Sequence, residues 1–344
     1  MSLWKNPTLQ FILILQLCLL TCVSYAKEVC VNPDFTGDTK PWGISQTDDM
    51  PVKQMPISDL EGVQYAMYAD VQKPQPKSSW RCGLNQTIPQ FIPKDSPIKL
   101  TFKAKGSAEK KLSINLQTNG HPWDSTLHSG DIILTDEWKT YTYEGKAKRD
   151  YVPGGLRLYV TFGQNQGNAS ITDVHLNIEG AGLPPFGQAI NTNPNFKHRT
   201  SGWWYNTKHN QGKVLDEDGK PYVQLILDDV DPSKYWEHSF NQRLVSPFPK
   251  GTKILITAIL RSPTDDAKVD FYLQGKSGNK ERIIFAPGIR LTNQWQTYEF
   301  SATMPKDYKA RDCEMSLHMG YQPQIIEIQQ ILMTTVDAYE PWIN

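Results

Sequence analysis

The sequence lacks an excess of either charge. Its 344 residues carry 36 Lys and Arg against 36 Asp and Glu. A surface that binds nucleic acid or an anionic membrane needs an excess or a cluster of basic residues, so we expect neither kind of partner. The charged fraction is 21%, and 11% of the residues are aromatic, which argues against a disordered chain or a long coiled coil. The composition is typical of a globular protein rich in aromatic side chains.

The common catalytic motifs are also missing. The chain contains no Gly-x-Ser-x-Gly, no His-Glu-x-x-His, no phosphate-binding loop and no Glu-x-Asp-x-x-Glu strand, which are signatures of enzyme classes. Without a Cys-x-x-Cys pair, a cysteine metal site is not indicated. One enzymatic alternative stays open, because Glu237, Asp270 and Glu314 could share a face. A carboxylate pair about 5 to 9 Å apart would serve a hydrolase or a lyase. A function without catalysis is favoured.

The N-terminal apolar stretch is too short to cross a membrane. It covers residues 11–20 and follows the basic Lys5, whereas a membrane span needs about 20 apolar residues. Small residues at 24 and 26 fit signal-peptidase cleavage. We therefore predict a signal peptide over residues 1–26 and a secreted protein, extracellular or periplasmic, without a membrane anchor. A lipoprotein signal ending at Cys22 is the alternative.

The sequence after this leader contains an internal repeat. The pattern Asn-Pro-x-Phe, with a Trp ten residues after the Asn, occurs at residues 32–42 and again at 193–203. The pattern Leu-Thr-x-x-Trp-x-Thr-Tyr occurs at 134–141 and again at 291–298, an offset of 157 residues. Such self-similarity indicates a duplicated structural unit. We predict two domains, 27–179 and 188–344, joined by a Gly- and Pro-rich linker at 180–187.

Within each copy, apolar and polar residues alternate. Leu112, Ile114 and Leu116 are separated by polar residues, and Val269 and Phe271 are spaced in the same way. This period of two is typical of half-buried strands, and turn sequences separate the apolar runs. Because no long helical period is present, we predict an all-β protein made of two tandem antiparallel β-sandwich domains that arose by internal duplication.

The repeated motifs resemble those of the carbohydrate-binding modules of families 4, 9, 16 and 22. The shared features are the opening Asn-Pro-x-Phe, the Trp about ten residues later, a Trp strand that ends in Asn-Gln, and Trp-x-Thr-Tyr. The resemblance covers nearly the whole mature chain, twice. It implies jelly-roll sandwiches that each hold a polysaccharide, such as a β-glucan, a xylan or a related glycan, in a cleft across one sheet. The implied protein binds polysaccharide without catalysis; a surface or adhesion protein that binds another protein is the remaining alternative.

The chemistry of sugars guides the choice of candidate residues. A sugar presents flat C–H faces and rings of hydroxyls, so its site needs exposed aromatic rings beside amides and charged groups. Strand alternation places polar side chains on an outer face, and the resemblance adds four tryptophans at the cleft. The candidates are Trp42, Trp80, Arg81, Asn115, Gln117, Trp123, Arg157 and Tyr159 in the first copy, and Trp203, Trp236, Glu237, Asn241, Tyr272, Gln274, Glu314 and His318 in the second. Trp138 in the first copy and the equivalent Trp295 in the second are predicted to be structural.

Two further expectations concern stabilising elements. The resemblance implies a structural calcium ion at Asp34 and Asp173, although calcium takes six to eight oxygen ligands and two are visible. No other cofactor is expected. Export permits disulfides, and Cys30 with Cys82 is the predicted pair; buried free thiols at these two residues and at Cys313 are the alternative. We expect a monomer that binds an oligosaccharide or a polysaccharide.

Overall fold

The computed structural model describes residues 26–182, 184, 187–206, 212–276 and 281–336. The predicted signal peptide lies outside the described residues except for Ala26, as do positions 183, 185 and 186 of the predicted linker and the last eight residues of the chain. Within the described ranges, none of the helices has the length and hydropathy to span a bilayer. The helical elements in these ranges are two short 3-10 turns, Pro76–Arg81 and Pro232–Glu237.

The first copy folds into a sandwich of two antiparallel sheets. Its strands, in chain order, are β1 (Ala26–Glu28), β2 (Gly43–Ser45), β3 (Val52–Pro56), β4 (Tyr65–Val71), β5 (Gly83–Ile88), β6 (Pro97–Gly106), β7 (Lys111–Thr118), β8 (Ser125–His128), β9 (Ile132–Ile133), β10 (Lys139–Lys146), β11 (Leu156–Thr161) and β12 (Gly167–Glu179). The front sheet has the order β2-β5-β11-β7-β8, with β9 also beside β7. The back sheet has the order β10-β6-β12-β4-β3, with β1 beside β12.

The second copy repeats this architecture. Its strands are β13 (Trp203–Asn206), β14 (Lys213–Glu217), β15 (Lys220–Leu227), β16 (Ser239–Arg243), β17 (Lys253–Arg261), β18 (Ala267–Gly275), β19 (Arg282–Leu291), β20 (Gln296–Thr303), β21 (Cys313–His318) and β22 (Gln324–Thr335). The front sheet has the order β13-β16-β21-β18-β19 and the back sheet β14-β15-β22-β17-β20. Apart from β1 and β9, which have no counterpart among the described strands of the second copy, these orders match those of the first copy. The prediction of two tandem antiparallel sandwiches is confirmed.

Alternating side chains build each core. Leu84, Leu116, Leu158 and Val160 are fully buried between the two sheets of the first sandwich, as their strand parity predicts. Phe271 and its apolar neighbours on β18 do the same in the second sandwich. The residues between them point to the other side of each front sheet. The alternation therefore fixes which side chains are available to a ligand.

The Asn-to-Trp repeat is a structural motif of both cores. The Trp42 indole donates to the Asn32 carbonyl at 3.0 Å, and the Trp203 indole donates to the Asn193 carbonyl at 3.2 Å. The two rings are only 4% and 6% exposed. Trp42 packs on Phe35 with 5.3 Å between ring centroids. The prediction that both tryptophans lie at a cleft rim is therefore wrong, because each closes its own core instead.

The Asn-Gln repeat has a similar role. Gln86 is buried, and its side-chain amide both accepts from the Val31 backbone N–H at 2.7 Å and donates to the Val31 carbonyl at 2.8 Å. In the second copy, Gln242 accepts from Asn191 at 3.0 Å and donates to the Thr192 carbonyl at 2.6 Å. Each glutamine ties the segment that enters its sandwich to the front sheet. Satisfying buried amides in this way costs little and fixes one arrangement.

Candidate functional site

A groove of about 600 Å³ lies on the front sheet of the second sandwich. It follows the solvent side of β13, β16, β21 and β18, and the 3-10 turn 232–237 stands at one end. Both aromatic and polar side chains line it. The lining residues are Trp204, Asn206, Tyr235, Trp236, Ser239, Asn241, Tyr272, Gln274, Lys276, Arg282, Glu314, Ser316 and His318.

Exposed indoles form part of the groove wall. Trp236 is 49% exposed, and Trp204 is also partly open to solvent. Tyr235 packs edge-on against Trp236, with 5.5 Å between centroids, and stacks on Tyr321 at 4.5 Å. The Arg243 guanidinium lies 5.8 Å from the Trp204 ring. The neighbours hold both indoles in place while one face of each remains available for stacking.

The floor of the groove is a fixed network around Tyr272. Asp270 is buried and accepts hydrogen bonds from the hydroxyls of Tyr272, at 3.2 Å, and Tyr321, at 2.6 Å, and from the Gly288 backbone N–H at 2.8 Å. Burial, a hydrogen bond with Tyr235 and the Asp270 charge raise the pKa of Tyr272 far above its usual range. The phenol therefore stays protonated. Tyr272 supplies a rigid, neutral part of the floor.

Amide and hydroxyl groups continue the floor along β16 and β21. Ser316 donates to Asn241 at 2.5 Å, and the Asn241 amide donates to Ser239 at 3.0 Å. Arg243 lies 3.2 Å from the Glu314 carboxylate, and Lys276 approaches it at 4.0 Å. These contacts hold the polar groups in one arrangement before any ligand arrives, which lowers the entropy cost of binding.

The sequence located part of this groove. Trp236, Asn241, Tyr272, Gln274, Glu314 and His318 were predicted to bind and do line it. Trp203 does not, because it is buried against Phe240 with 4.9 Å between ring centroids. Glu237 is exposed on the 3-10 turn and is not among the lining residues.

The candidates did not include the other lining residues, which are Trp204, Asn206, Tyr235, Ser239, Lys276, Arg282 and Ser316. Residues 232–237 form a 3-10 turn rather than a strand start, so strand parity does not apply to the side chain of Tyr235. A signal was present, since a proline stands four residues before the tryptophan at both Trp80 and Trp236, and proline favours the first turn of a helix. Lys276 directly follows β18 and Arg282 is the first residue of β19, so neither lies inside a predicted run of alternating residues.

The front face of the first sandwich carries a different set of side chains. Trp80 is 58% exposed and Trp123 is 46% exposed. The Arg157 guanidinium lies 5.0 Å from the Trp123 ring and 4.9 Å from the ring of Tyr159. Tyr159 is buried and donates to the Trp80 carbonyl.

The other first-copy candidates surround this cluster. Asn115 and Gln117 lie on β7 beside β11, with Asn115 opposite Tyr159 and Gln117 opposite Arg157. Asn115 accepts from Ser125 at 3.1 Å. Arg81 is exposed at the end of the first 3-10 turn.

The three carboxylates of the enzymatic alternative do not converge. On the paired strands β18 and β21, Asp270 lies opposite His318, whereas Glu314 lies opposite Gln274. Four residues along a strand correspond to about 13 Å, more than the roughly 5 to 9 Å between the carboxyls of glycosidases. Glu237 lies outside the groove lining. Asp270 and Glu314 are therefore too far apart along the sheet to act as the acid and base pair of a glycosidase.

The predicted calcium ligands have other partners. Asp34 accepts from the Thr36 hydroxyl at 2.7 Å. Asp173 lies 3.0 Å from Lys103 Nζ and 2.8 Å from the His175 ring. No group of three or more His, Cys, Asp and Glu residues is placed to hold a metal in the part of the chain that the structure describes. The two carboxylates do not offer the oxygen shell that calcium requires, and calcium binding stays a prediction without structural support.

The cysteines are free and buried. Cys30, Cys82 and Cys313 form no disulfide, so the predicted pairing of Cys30 with Cys82 is wrong and the alternative of buried thiols describes the structure. Each sandwich closes its own apolar core and does not depend on a covalent link. Burial raises the pKa of Cys82 to about 11 and that of Cys313 to about 12, which keeps these thiols protonated and unreactive at neutral pH.

Comparisons with known proteins find solved structures that share the fold at low sequence identity. No family model and no curated protein matches the sequence. The tandem CBM22-1 and CBM22-2 domains of Paenibacillus barcinonensis Xyn10C share 10% identity over 92% of this chain and 99% of that one, with a TM-score of 0.37. The second N-terminal cellulose-binding domain of Cellulomonas fimi β-1,4-glucanase C shares 15% identity over 46% of this chain and 100% of that one, with a TM-score of 0.35.

A third similar structure is TmCBM61 in complex with β-1,4-galactotriose. It shares 19% identity over 44% of this chain and 97% of that chain, with a TM-score of 0.33. These are modules of the class that the sequence motifs resemble. Identities and scores this low carry no argument about a ligand, so function has to be argued from the groove itself.

Proposed function

We propose that the protein is a secreted, non-catalytic polysaccharide-binding protein, and that the groove of the second sandwich holds a glycan chain. The observation that carries the proposal is the pairing of two exposed indoles, Trp204 and Trp236, with a floor of amide and hydroxyl groups at Asn241 and Ser316. Aromatic faces stack on the C–H faces of pyranose rings, and the amides exchange hydrogen bonds with their hydroxyls.

The shape of the groove supports a chain ligand. The groove lies along the face of a β-sheet and is bounded by side chains from several neighbouring strands. Its floor is polar, whereas pockets for drug-like molecules are lined mainly by apolar side chains. A polysaccharide fits such a surface because successive sugar units can occupy successive strands, about 4.8 Å apart.

The duplication supports the same proposal. The first sandwich also presents exposed indoles on its front face, at Trp80 and Trp123. Two modest sites on one chain that engage the same polymer raise the apparent affinity through effective concentration. Neither site then has to be tight on its own, and an open surface groove is sufficient.

Substitution of Trp236 tests the proposal. The wild-type protein is expected to be retained on at least one member of a panel of cellulose, xylan, β-1,3-glucan, β-1,4-galactan and chitin. Trp236 leaves about half of its ring exposed, and a sugar that covers about 70 Å² of it contributes roughly 2 kcal/mol. Trp236→Ala should therefore weaken binding by at least about tenfold, as measured by calorimetry with the matching oligosaccharide.

The control is Trp236→Phe, which keeps an aromatic ring and is expected to retain part of the affinity. Both variants should melt at nearly the wild-type temperature, because Trp236 is exposed and belongs to neither core. The proposal fails if the wild-type protein is retained on none of the glycans, or if Trp236→Ala binds as tightly as the wild type.

A further inference from the structure

The two front sheets differ at one equivalent position in a way that affects ligand charge. On β11, Arg157 lies opposite Thr87 and Gln117. On β21, Glu314 lies opposite Arg243 and Gln274. The second sandwich thus places a carboxylate where the first places a guanidinium. In the second sandwich the charge is neutralised across the strands, because Arg243 lies 3.2 Å from Glu314.

Arg157 has no such counter-charge. No ion pair of Arg157 occurs within the described residues, where its cross-strand neighbours Thr87 and Gln117 are uncharged. Its buried Nε has no hydrogen-bond partner. Asp124 follows Trp123, whose ring contacts Arg157. The carboxylate of Asp124 lies 3.2 Å from Arg149 and is paired with that residue. A partly buried cation without a counter-ion is costly, so a ligand that supplies an anion to the guanidinium would gain an electrostatic interaction that the protein leaves unused.

The environment of Arg157 also fixes how it can bind. The rings of Trp123 and Tyr159 lie 5.0 and 4.9 Å from its guanidinium carbon. Both rings attract the guanidinium charge at these distances, and an aromatic ring does not use up the N–H groups of a guanidinium as donors. Those groups match the two oxygens of a carboxylate in a bidentate contact. The exposed ring of Trp123 beside it offers a stacking surface for the sugar that bears the carboxylate.

We propose that the front face of the first sandwich binds a uronic-acid-containing polysaccharide, with Arg157 as the residue that recognises the uronate carboxylate and Trp123 and Trp80 as stacking platforms. This inference rests on the proposed glycan-binding function and adds a ligand class for the first copy. The duplicated chain then joins two polysaccharides, or two regions of one polysaccharide, that differ in charge.

The test compares acidic polymers with the same polymers made neutral. Glucuronoxylan, polygalacturonate and alginate are each assayed before and after carboxyl reduction, which converts every uronate into a neutral sugar. The full-length protein is expected to bind at least one acidic polymer, and Arg157→Gln should weaken that binding by about tenfold or more. The same variant should bind the reduced polymer as the wild type does, and added salt should weaken only the binding of the acidic form.

Two further variants separate this inference from the proposed function. Arg157→Lys keeps the charge but loses the planar fork, so it should recover only part of the affinity. Trp236→Ala alters the other sandwich, and in its background Arg157→Gln should still weaken the binding of the acidic polymers and leave the binding of the reduced ones unchanged. The inference is overturned if none of the three acidic polymers binds, or if Arg157→Gln affects acidic and reduced polymers equally. Failure of the proposed function would show instead as an absence of any effect of Trp236→Ala on neutral glycans.

Discussion

A buried lysine in the first sandwich provides a stability prediction with a defined pH dependence. The Lys110 side chain is fully buried, and its ammonium donates to the carbonyls of Phe162, at 2.8 Å, and Asn165. Burial lowers the pKa of Lys110 from 10.5 to about 8, and the nearby Cys82 and Asp70 only partly oppose this change. The folded state therefore releases this proton at a lower pH than the unfolded chain does.

The direction and size of the change in stability with pH follow from the difference in the pKa of Lys110 between the folded and unfolded states. Below about pH 8, Lys110 is charged in both states, and the cost of burying the charge is present in full. Between pH 8 and 10.5 the unfolded chain binds more protons than the folded protein, so stability increases with pH. At about 1.4 kcal/mol per pH unit the interval gives roughly 3 kcal/mol as an upper bound. Local relaxation and water penetration reduce a burial penalty of this kind, and we take about 2 kcal/mol.

The assay is urea unfolding of the wild type and Lys110→Met across this pH range. The difference in unfolding free energy between the two should shift by about 2 kcal/mol in favour of the wild type from about pH 7 to about pH 10. Groups common to both proteins, such as the tyrosines, cancel in the difference. Lys111→Met is the control, because Lys111 lies at the surface, 3.3 Å from Asp131, and its difference should stay constant. If the difference in unfolding free energy between the wild type and Lys110→Met also stays constant with pH, then burial does not lower the pKa of Lys110 in the folded protein.

Two other predictions concern the back sheets and the cysteines. Trp138 and Trp295 are half-buried rather than core residues. The Trp295 indole donates a hydrogen bond to Glu217 at 2.8 Å, and its ring centroid lies 4.2 Å from the guanidinium carbon of Arg261. The Trp138 indole likewise donates to Asp59 at 3.1 Å. Replacing either by Phe should lower the melting temperature only slightly, for a cost of about 1 kcal/mol, and a loss of several kcal/mol would place them in the core after all. In native protein the three described thiols should resist alkylation, while in concentrated urea without reductant Cys30 and Cys82 should both react; protection of these two in urea would reveal a disulfide.

Pattern alone was sufficient to predict the fold. The offset of 157 residues between copies and the alternation around Leu116 and Phe271 lead directly to two sandwiches with matching strand orders. These signals are local and occur in both copies, so the strands predicted in one copy support those predicted in the other. The face of the sheet to which each side chain points also followed from parity, because a shift of one residue would turn every side chain to the opposite face.

The candidate site was predicted less completely, for reasons that differ between residues. Trp42 and Trp203 recur in both copies because each anchors a core through an indole hydrogen bond, and repetition cannot separate that role from ligand binding. Tyr235 lies on a 3-10 turn, where strand parity does not apply. The pairing of Arg243 with Glu314 depends on the cross-strand register of β16 and β21, which the sequence does not state.

The most direct test of glycan binding at the groove is the response of the tryptophan indole N–H resonances to an added oligosaccharide. With xylohexaose or cellohexaose, whichever the polymer panel favours, we expect the signals of Trp204 and Trp236 to shift in a saturable manner. The signals of the buried Trp203 and of Trp295 on the back sheet should stay in place. Shifts confined to Trp295, or no shift of Trp236 at saturating ligand, would contradict the central claim that this groove binds the sugar.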